Sequence, residues 1–370
     1  MSGHRSTAGR RAGAGLAAGV AALGAGTAMY AARNLTYDTR EAARLASSGM
    51  HARAVGMPDG AVIGYGEGPR RGPALLLVHG QQVSWADYAA VLGALTRDWH
   101  VFAVDCFGHG ASAKEPALYP ALPQTRALAW FVENVIGEPV VVAGHCSGGL
   151  LATCLAADFP DRVQAVLIED APFFGTEPDR ARATYAWRDT FRNIHRYLEA
   201  ASSTDAAGWT RFWLRNSHLR TMFGDRAWNR LVRGPVERRL DRDPHVLPKL
   251  WWLPPTLNRA IALTACLQDG TGDYDLRYGD LFYDGAWLAG YDQAETLGRV
   301  LVPTTLLHAT THQQDGVLLG AMTSDDAIRA HTLMPDCLLI DRIPSGHDIH
   351  RQRPALYVDA LNALRKRIRG

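Results

Sequence analysis

The sequence predicts an α/β protein with a mostly parallel sheet, helices on both faces and one large, mainly helical insertion. Three observations carry this expectation. Short apolar runs alternate with helix-like segments through the first half of the chain, the pattern of strands joined by helical crossovers. The alternation stops near Ala171, and strand-like sequence resumes at Thr304-Thr305-Leu306-Leu307-His308. Between strand Val140–Ala143 and the apolar segment Gly149–Phe159 lies Gly144-His145-Cys146-Ser147-Gly148, a sharp strand-to-helix turn.

The elements follow in order. His51–Gly56 and Ala61–Tyr65 flank Pro58-Asp59-Gly60 and read as a hairpin. Ala74–Val78 is a buried strand ending in His79-Gly80, and Trp99–Val104 is another, ending in Asp105. Leu128–Ile136 reads as a helix, and Pro139 opens the next strand, where a missing N–H is tolerated. Gly149–Phe159 is a helix stopped by Pro160, and Val163–Ile168 is a strand. From 171 to 300 the chain shows helical segments, prolines and seven of its ten tryptophans. Cys337–Ile343 is a further strand before Ser345-Gly346-His347, and a last helix runs from Pro354 to Arg367. The expected division is residues 50–170 and 301–370 as the core, 171–300 as a cap or lid, and 1–33 as a separate N-terminal segment.

Composition narrows the function. A chain of 370 residues with net charge +2 gives no reason to expect nucleic acid. Five irregularly spaced cysteines without a C-x-x-C pair argue against a disulfide framework or a structural zinc site. Cys106, Cys154, Cys266 and Cys337 read as small buried residues. Residues 12–32 are uncharged and rich in Ala and Gly, preceded by Arg5, Arg10 and Arg11. That length reaches the ~20 residues of a membrane span. An anchor, an export signal with a cleavage site at Gly26-Thr27-Ala28, and an extension ahead of a start at Met29 stay open. Membrane association or export follows if the segment is native, and a cytoplasmic location otherwise.

In the glycine-flanked turn the side chains two before and two after the nucleophile must be small. Centred on Cys146 they are Gly144 and Gly148; centred on Ser147 they are His145 and Gly149. The geometry therefore selects the thiol. Leu76–Val78 with His79-Gly80, Asp105 with Gly108-His109-Gly110-Ala111-Ser112, the turn at 144–149, and Gly346-His347 come in the order and spacing of the α/β-hydrolases, which the chain resembles. The resemblance implies a Cys-His-Asp triad with Cys146 as nucleophile and His347 as base. It offers two positions for the acid, Asp170 after Val163–Ile168 and Asp315 after the later strand, and the departure of His308–Gly316 from the usual pattern favours Asp170. Backbone N–H groups of Gln81 and Ser147 would form the oxyanion hole, with Gln82 and His145 as substrate-binding side chains. The start of a helix favours thiolate.

A thiol nucleophile with these partners fits cleavage of an ester, lactone or thioester through an acyl-enzyme. Acyl transfer, cyclisation or elimination in specialised metabolism is the alternative, and a non-enzymatic ligand receptor on the same fold is the third reading. The aromatic insertion points to a bulky apolar small molecule as substrate. No metal and no organic cofactor is expected, and the oligomeric state is left open.

Overall fold

Central strands of a sheet covered on both faces need no polar alternation, and the runs Ala74–Val78, His100–Val104 and Val140–His145 are buried at every position. The structure, a computed structural model, describes residues 25–200, 206–246, 249–254, 258–259, 261 and 274–369. Its strands are β1 His51–Gly56, β2 Val62–Glu67, β3 Ala74–Val78, β4 His100–Val104, β5 Val140–His145, β6 Val163–Glu169, β7 Thr304–Ala309, β8 His312–Gln314, β9 Val317–Leu319 and β10 Cys337–Ile343. An eight-stranded sheet runs in the order β1-β2-β4-β3-β5-β6-β7-β10, and β8 and β9 pair as a separate hairpin. β1–β2 and β2–β4 are antiparallel; every other pair in the large sheet is parallel.

The helices used below are α1 Tyr37–Ser47, α2 Ala89–Leu95, α3 Ala121–Phe131, α4 Ser147–Asp158, α5 Arg192–Ala200, α6 Ala206–Asn216, α7 Gly234–Leu240, α8 Ser324–Leu333 and α9 Pro354–Arg369. Alternate strand residues serve opposite faces. Leu76, Val142 and Val166 pack against α3 and α4, while Leu75, Val141 and Leu167 pack against α2 and α9. Helix α3 begins at Ala121, ahead of the expected Leu128, because Pro123 falls in the first turn, where its missing N–H costs nothing. The expected span to Ile136 closes as a wider turn, Val132–Ile136.

Between β6 and β7 the described residues add no strand to the large sheet. Helices α5, α6 and α7 enclose a core of their own around Trp209, Trp213, Trp228 and Val236. Cys106 and Cys154 are buried and Cys337 half-buried; Cys266 lies outside the described residues, as does the N-terminal stretch up to residue 24. Among the described residues no helix is long and apolar enough to cross a membrane.

Strand order reverses about β3, with β4 on one side and β5 on the other. A sheet of this kind opens a crevice beyond the carboxyl ends of the strands where the order reverses. The residues after β3, Gly80 to Gln82, and the residue after β5, Cys146, meet at that point.

Candidate active site

Cys146 joins β5 to α4 with φ 54° and ψ −123°, a left-handed conformation that non-glycine residues rarely adopt. The surroundings enforce it. A Cβ on Gly144 would lie 2.1 Å from the Gly148 carbonyl oxygen, and one on Gly148 would lie 2.1 Å from that of Val78. Both positions therefore require glycine for α4 to start this close to β3 and β5. The Cys146 N–H donates to the Glu169 carbonyl at 3.0 Å, fixing the turn to the end of β6.

The next residue, Asp170, is fully buried with φ 44°. Its N–H donates to the Leu307 carbonyl at 2.8 Å, and its Oδ1 accepts from the Ala309 N–H at 3.0 Å. Oδ2 is 2.7 Å from Nδ1 of His347, on the loop after β10. The imidazole thus donates from Nδ1 and leaves Nε2 for the thiol side. Burial alone would lower the His347 pKa; Cys146 and the Asp170 carboxylate outweigh it and hold the pKa well above its ordinary value. Burial pushes the Cys106 and Cys154 thiols up, and that of Cys337 up to about 12.

Two expected site residues stand elsewhere. Asp315 is an exposed residue in the turn between β8 and β9, with φ 51°. Residues 312–319 close a local hairpin, so the chain after β7 carries Asp315 outward while Asp170 meets His347. His145 does not face the cavity around Cys146. Its ring lies behind His347 with centroids 4.5 Å apart, and its Nε2 is 3.2 Å from the His347 carbonyl oxygen. Strand alternation turns His145 inward as Cys146 is turned outward, so it braces the His347 loop rather than touching a ligand. Burial lowers its pKa below the ordinary histidine value.

Gln81, Gln82 and Ser147 line the cavity beside Cys146. Ser147 opens α4, so its N–H has no acceptor within the helix. Gln81 accepts through Oε1 from the Tyr274 hydroxyl at 2.9 Å, and the Gln82 N–H donates to His109 Nε2 at 3.2 Å.

His350 is fully buried. Its N–H donates to Glu169 Oε1 at 2.7 Å and its Nδ1 lies 2.9 Å from both Glu169 oxygens. Burial opposes its charge, but Glu169 and Asp87 prevail and its pKa is pushed up to about 10. Asp87 is in turn held low, against its burial, by Arg259 and His350. Arg259 donates to Asp87 and, at 3.1 Å, to Glu41 of α1. Arg351 donates to Asp87 Oδ1 at 2.9 Å and to Glu41. Nothing in local spacing announces this cluster, because its members meet only through tertiary contacts. Asp87, His145 and His350 present donor atoms within 4.8 Å of one another, as a metal site would. The donor set fits a cation poorly: His350 carries a proton and Asp87 already accepts from two arginines.

A cavity of about 1030 Å³ leads away from Cys146 and His347. Trp187, Phe191, Leu219, Met222 and Phe282 of the insertion supply its apolar wall. Residues of the N-terminal helical segment, Tyr37 and Glu41 among them, form another wall that the sequence did not announce.

The chain is similar to several known proteins. A family model described as the alpha/beta hydrolase fold matches residues 73–313. Pheophytinase of Arabidopsis thaliana is 33% identical over 143 residues, covering 30% of each chain. Bifunctional epoxide hydrolase 2 of Mus musculus is 31% identical over 111 residues, covering 29% of this chain and 20% of that one. The chain thus spans less than a third of the length of these two relatives. Among solved structures, a membrane phospholipase A described as a bacterial virulence factor superposes with a TM-score of 0.60 at 20% identity, covering 98% of this chain and 99% of that one. E-2-(acetamidomethylene)succinate hydrolase superposes with a TM-score of 0.56 at 16% identity, covering 86% and 99%. At these identities the structural likeness is one of fold. With the family model matching well over half of the chain, and with the strand order described above, the protein belongs to the α/β-hydrolase fold family.

Proposed function

We propose that the protein is a hydrolase that cleaves an ester, lactone or thioester of a bulky apolar compound through a thioester on Cys146. The observation that carries this reading is the 2.7 Å contact of His347 with the buried Asp170, beside a cysteine held in a strained turn. Residues 171–300 act as the cap that shapes the acyl pocket.

The chemistry runs as follows. His347 Nε2 takes the thiol proton, and an imidazole of raised basicity is well suited to keep it. Cys146 Sγ attacks the carbonyl carbon, and the carbonyl electron pair moves to oxygen, facing the N–H groups of Gln81 and Ser147. As the tetrahedral species collapses, the bond to the leaving group breaks and His347 returns its proton to that group. Water then attacks the thioester, giving a proton to His347; the acid departs and sulfur leaves as thiolate. Asp170 orients the imidazole and balances its charge throughout. A second reading, transfer of the acyl group to an alcohol or amine, draws support from a cavity at the upper end of the usual ~300–1,000 Å³ range, with room for an acceptor.

Intact-protein mass after exposure to activated acyl esters and thioesters tests the reading. An acyl adduct on the wild type that is absent from Cys146→Ala is expected, with free acid as product. Turnover retained by Cys146→Ala would sink the proposal. Acyl transfer to added amines faster than to water would replace hydrolysis by the second reading.

A further inference from the structure

The wall of the cavity formed by the N-terminal helical segment has an unusual charge. Arg33, Tyr37, Arg40, Glu41 and Arg44 all line it. Their spacing places them on one face of the segment, which is helical over 25–35 and again over α1. Two further arginines on the cavity, Arg259 and Arg351, are neutralised by Asp87 and Glu41.

Arg33, Arg40 and Arg44 have no such pairing among the described residues. Arg40 donates to the Thr36 hydroxyl at 2.8 Å and to the Arg33 carbonyl at 2.7 Å. Among the described residues none of the three is paired with a carboxylate. Glu41, which lines the cavity beside them, already accepts from Arg259 and Arg351. Three exposed guanidinium groups therefore edge a cavity whose side from the tryptophan-bearing insertion is apolar, and whose other charged lining residues include Asp170, Asp348 and the paired Glu41, Arg259 and Arg351. An uncharged substrate would gain nothing from them. A ligand with one apolar end and one anionic end would bury the first against Trp187, Phe191 and Phe282 and pair the second with arginine, whose planar fork matches phosphate and carboxylate oxygens.

We propose that Arg33, Arg40 and Arg44 select amphiphilic acyl substrates that carry a phosphate or carboxylate group remote from the reacting carbonyl. The proposal rests on the hydrolase reading for the word substrate, but its binding test does not use the chemistry of Cys146.

Calorimetric titration of the full chain with decyl phosphate, decanoate and decanol, each below its aggregation concentration, decides the matter. Wild type should bind at least one of the anions about tenfold or more tightly than the alcohol, the preference expected of one charge-assisted contact. That preference should shrink as salt is raised. The phosphate and carboxylate arms identify which anion the arginines read. In the triple variant Arg33→Gln, Arg40→Gln, Arg44→Gln the anion-to-alcohol preference should fall to about twofold or less. A control variant, Arg70→Gln with Arg71→Gln, loses two charges off the cavity and should keep the preference. Equal binding of anion and alcohol, no saturable binding of any of the three, or a preference that survives the triple variant would overturn the proposal. Anion preference in a protein that forms no acyl adduct would retain this inference and reject the hydrolase reading.

Discussion

Replacing Asp170 by asparagine removes one negative charge at nearly constant volume, and the local hydrogen bonds dictate how the amide must sit. The Ala309 N–H, 3.0 Å from Oδ1, requires an oxygen opposite it. The amide NH2 must then take the place of Oδ2, 2.7 Å from His347 Nδ1. An NH2 there can only donate, so Nδ1 becomes an acceptor and the ring proton moves to Nε2, the nitrogen that should receive the thiol proton. Loss of one buried charge-assisted hydrogen bond accounts for about 1.5–3 kcal/mol, or roughly 10- to 100-fold in rate. The tautomer error extends this toward the ~10⁴-fold seen for the analogous change in a serine triad. We expect Asp170→Asn to lower kcat/KM for an activated thioester at least about 100-fold, with the Cys146 alkylation rate falling in parallel. Asp315→Asn, in an exposed turn that tolerates asparagine, should leave both rates within about twofold of wild type. An Asp170→Asn enzyme with a third or more of wild-type activity, or an Asp315→Asn enzyme as impaired as Asp170→Asn, would refute the reasoning.

Two further outcomes can be checked by urea unfolding. Gly148→Ala would place its Cβ 2.1 Å from the Val78 carbonyl oxygen, so β3 or the turn must shift; a loss of about 3 kcal/mol or more is expected, and a loss below 1 kcal/mol would show that the turn relaxes freely. The second concerns pH. His350, raised from its ordinary ~6.5 to about 10, contributes stability that is complete below ~6.5 and disappears as pH rises through about 10. His350→Asn should therefore cost on the order of 3 kcal/mol at pH 6, with the gap from wild type closing by pH 10; a gap that widens with pH would contradict the assignment.

The turn at Cys146 was legible in the sequence because steric demand leaves a local trace. Gly144 and Gly148 sit where any Cβ would meet backbone oxygen. The central strands were legible because burial on both faces leaves uninterrupted apolar runs. The acid was not decided in the same way. Asp170 and Asp315 both follow strands, and only the path of residues 312–319, folded into a hairpin, carries Asp315 off the site. His145 misled because its position beside the nucleophile says nothing of which side of the strand it faces. The wall from α1 and the cluster of Glu41, Asp87, Arg259 and Arg351 left no local trace, since their members come from four distant parts of the chain. The aromatic insertion gave a divided answer: Trp209, Trp213 and Trp228 fill its interior, whereas Trp187 and Phe191 face the cavity.

One consequence lies in the last two residues leaving β6. The Glu169 carbonyl oxygen holds the turn of Cys146 at 3.0 Å, its side chain holds His350, and the adjacent Asp170 carries His347. Sulfur and imidazole, 201 positions apart in the chain, are thus mounted on a single short stub of backbone. A displacement of that stub therefore bears on the turn of Cys146 and on the imidazole of His347 at once, through one hydrogen bond to each.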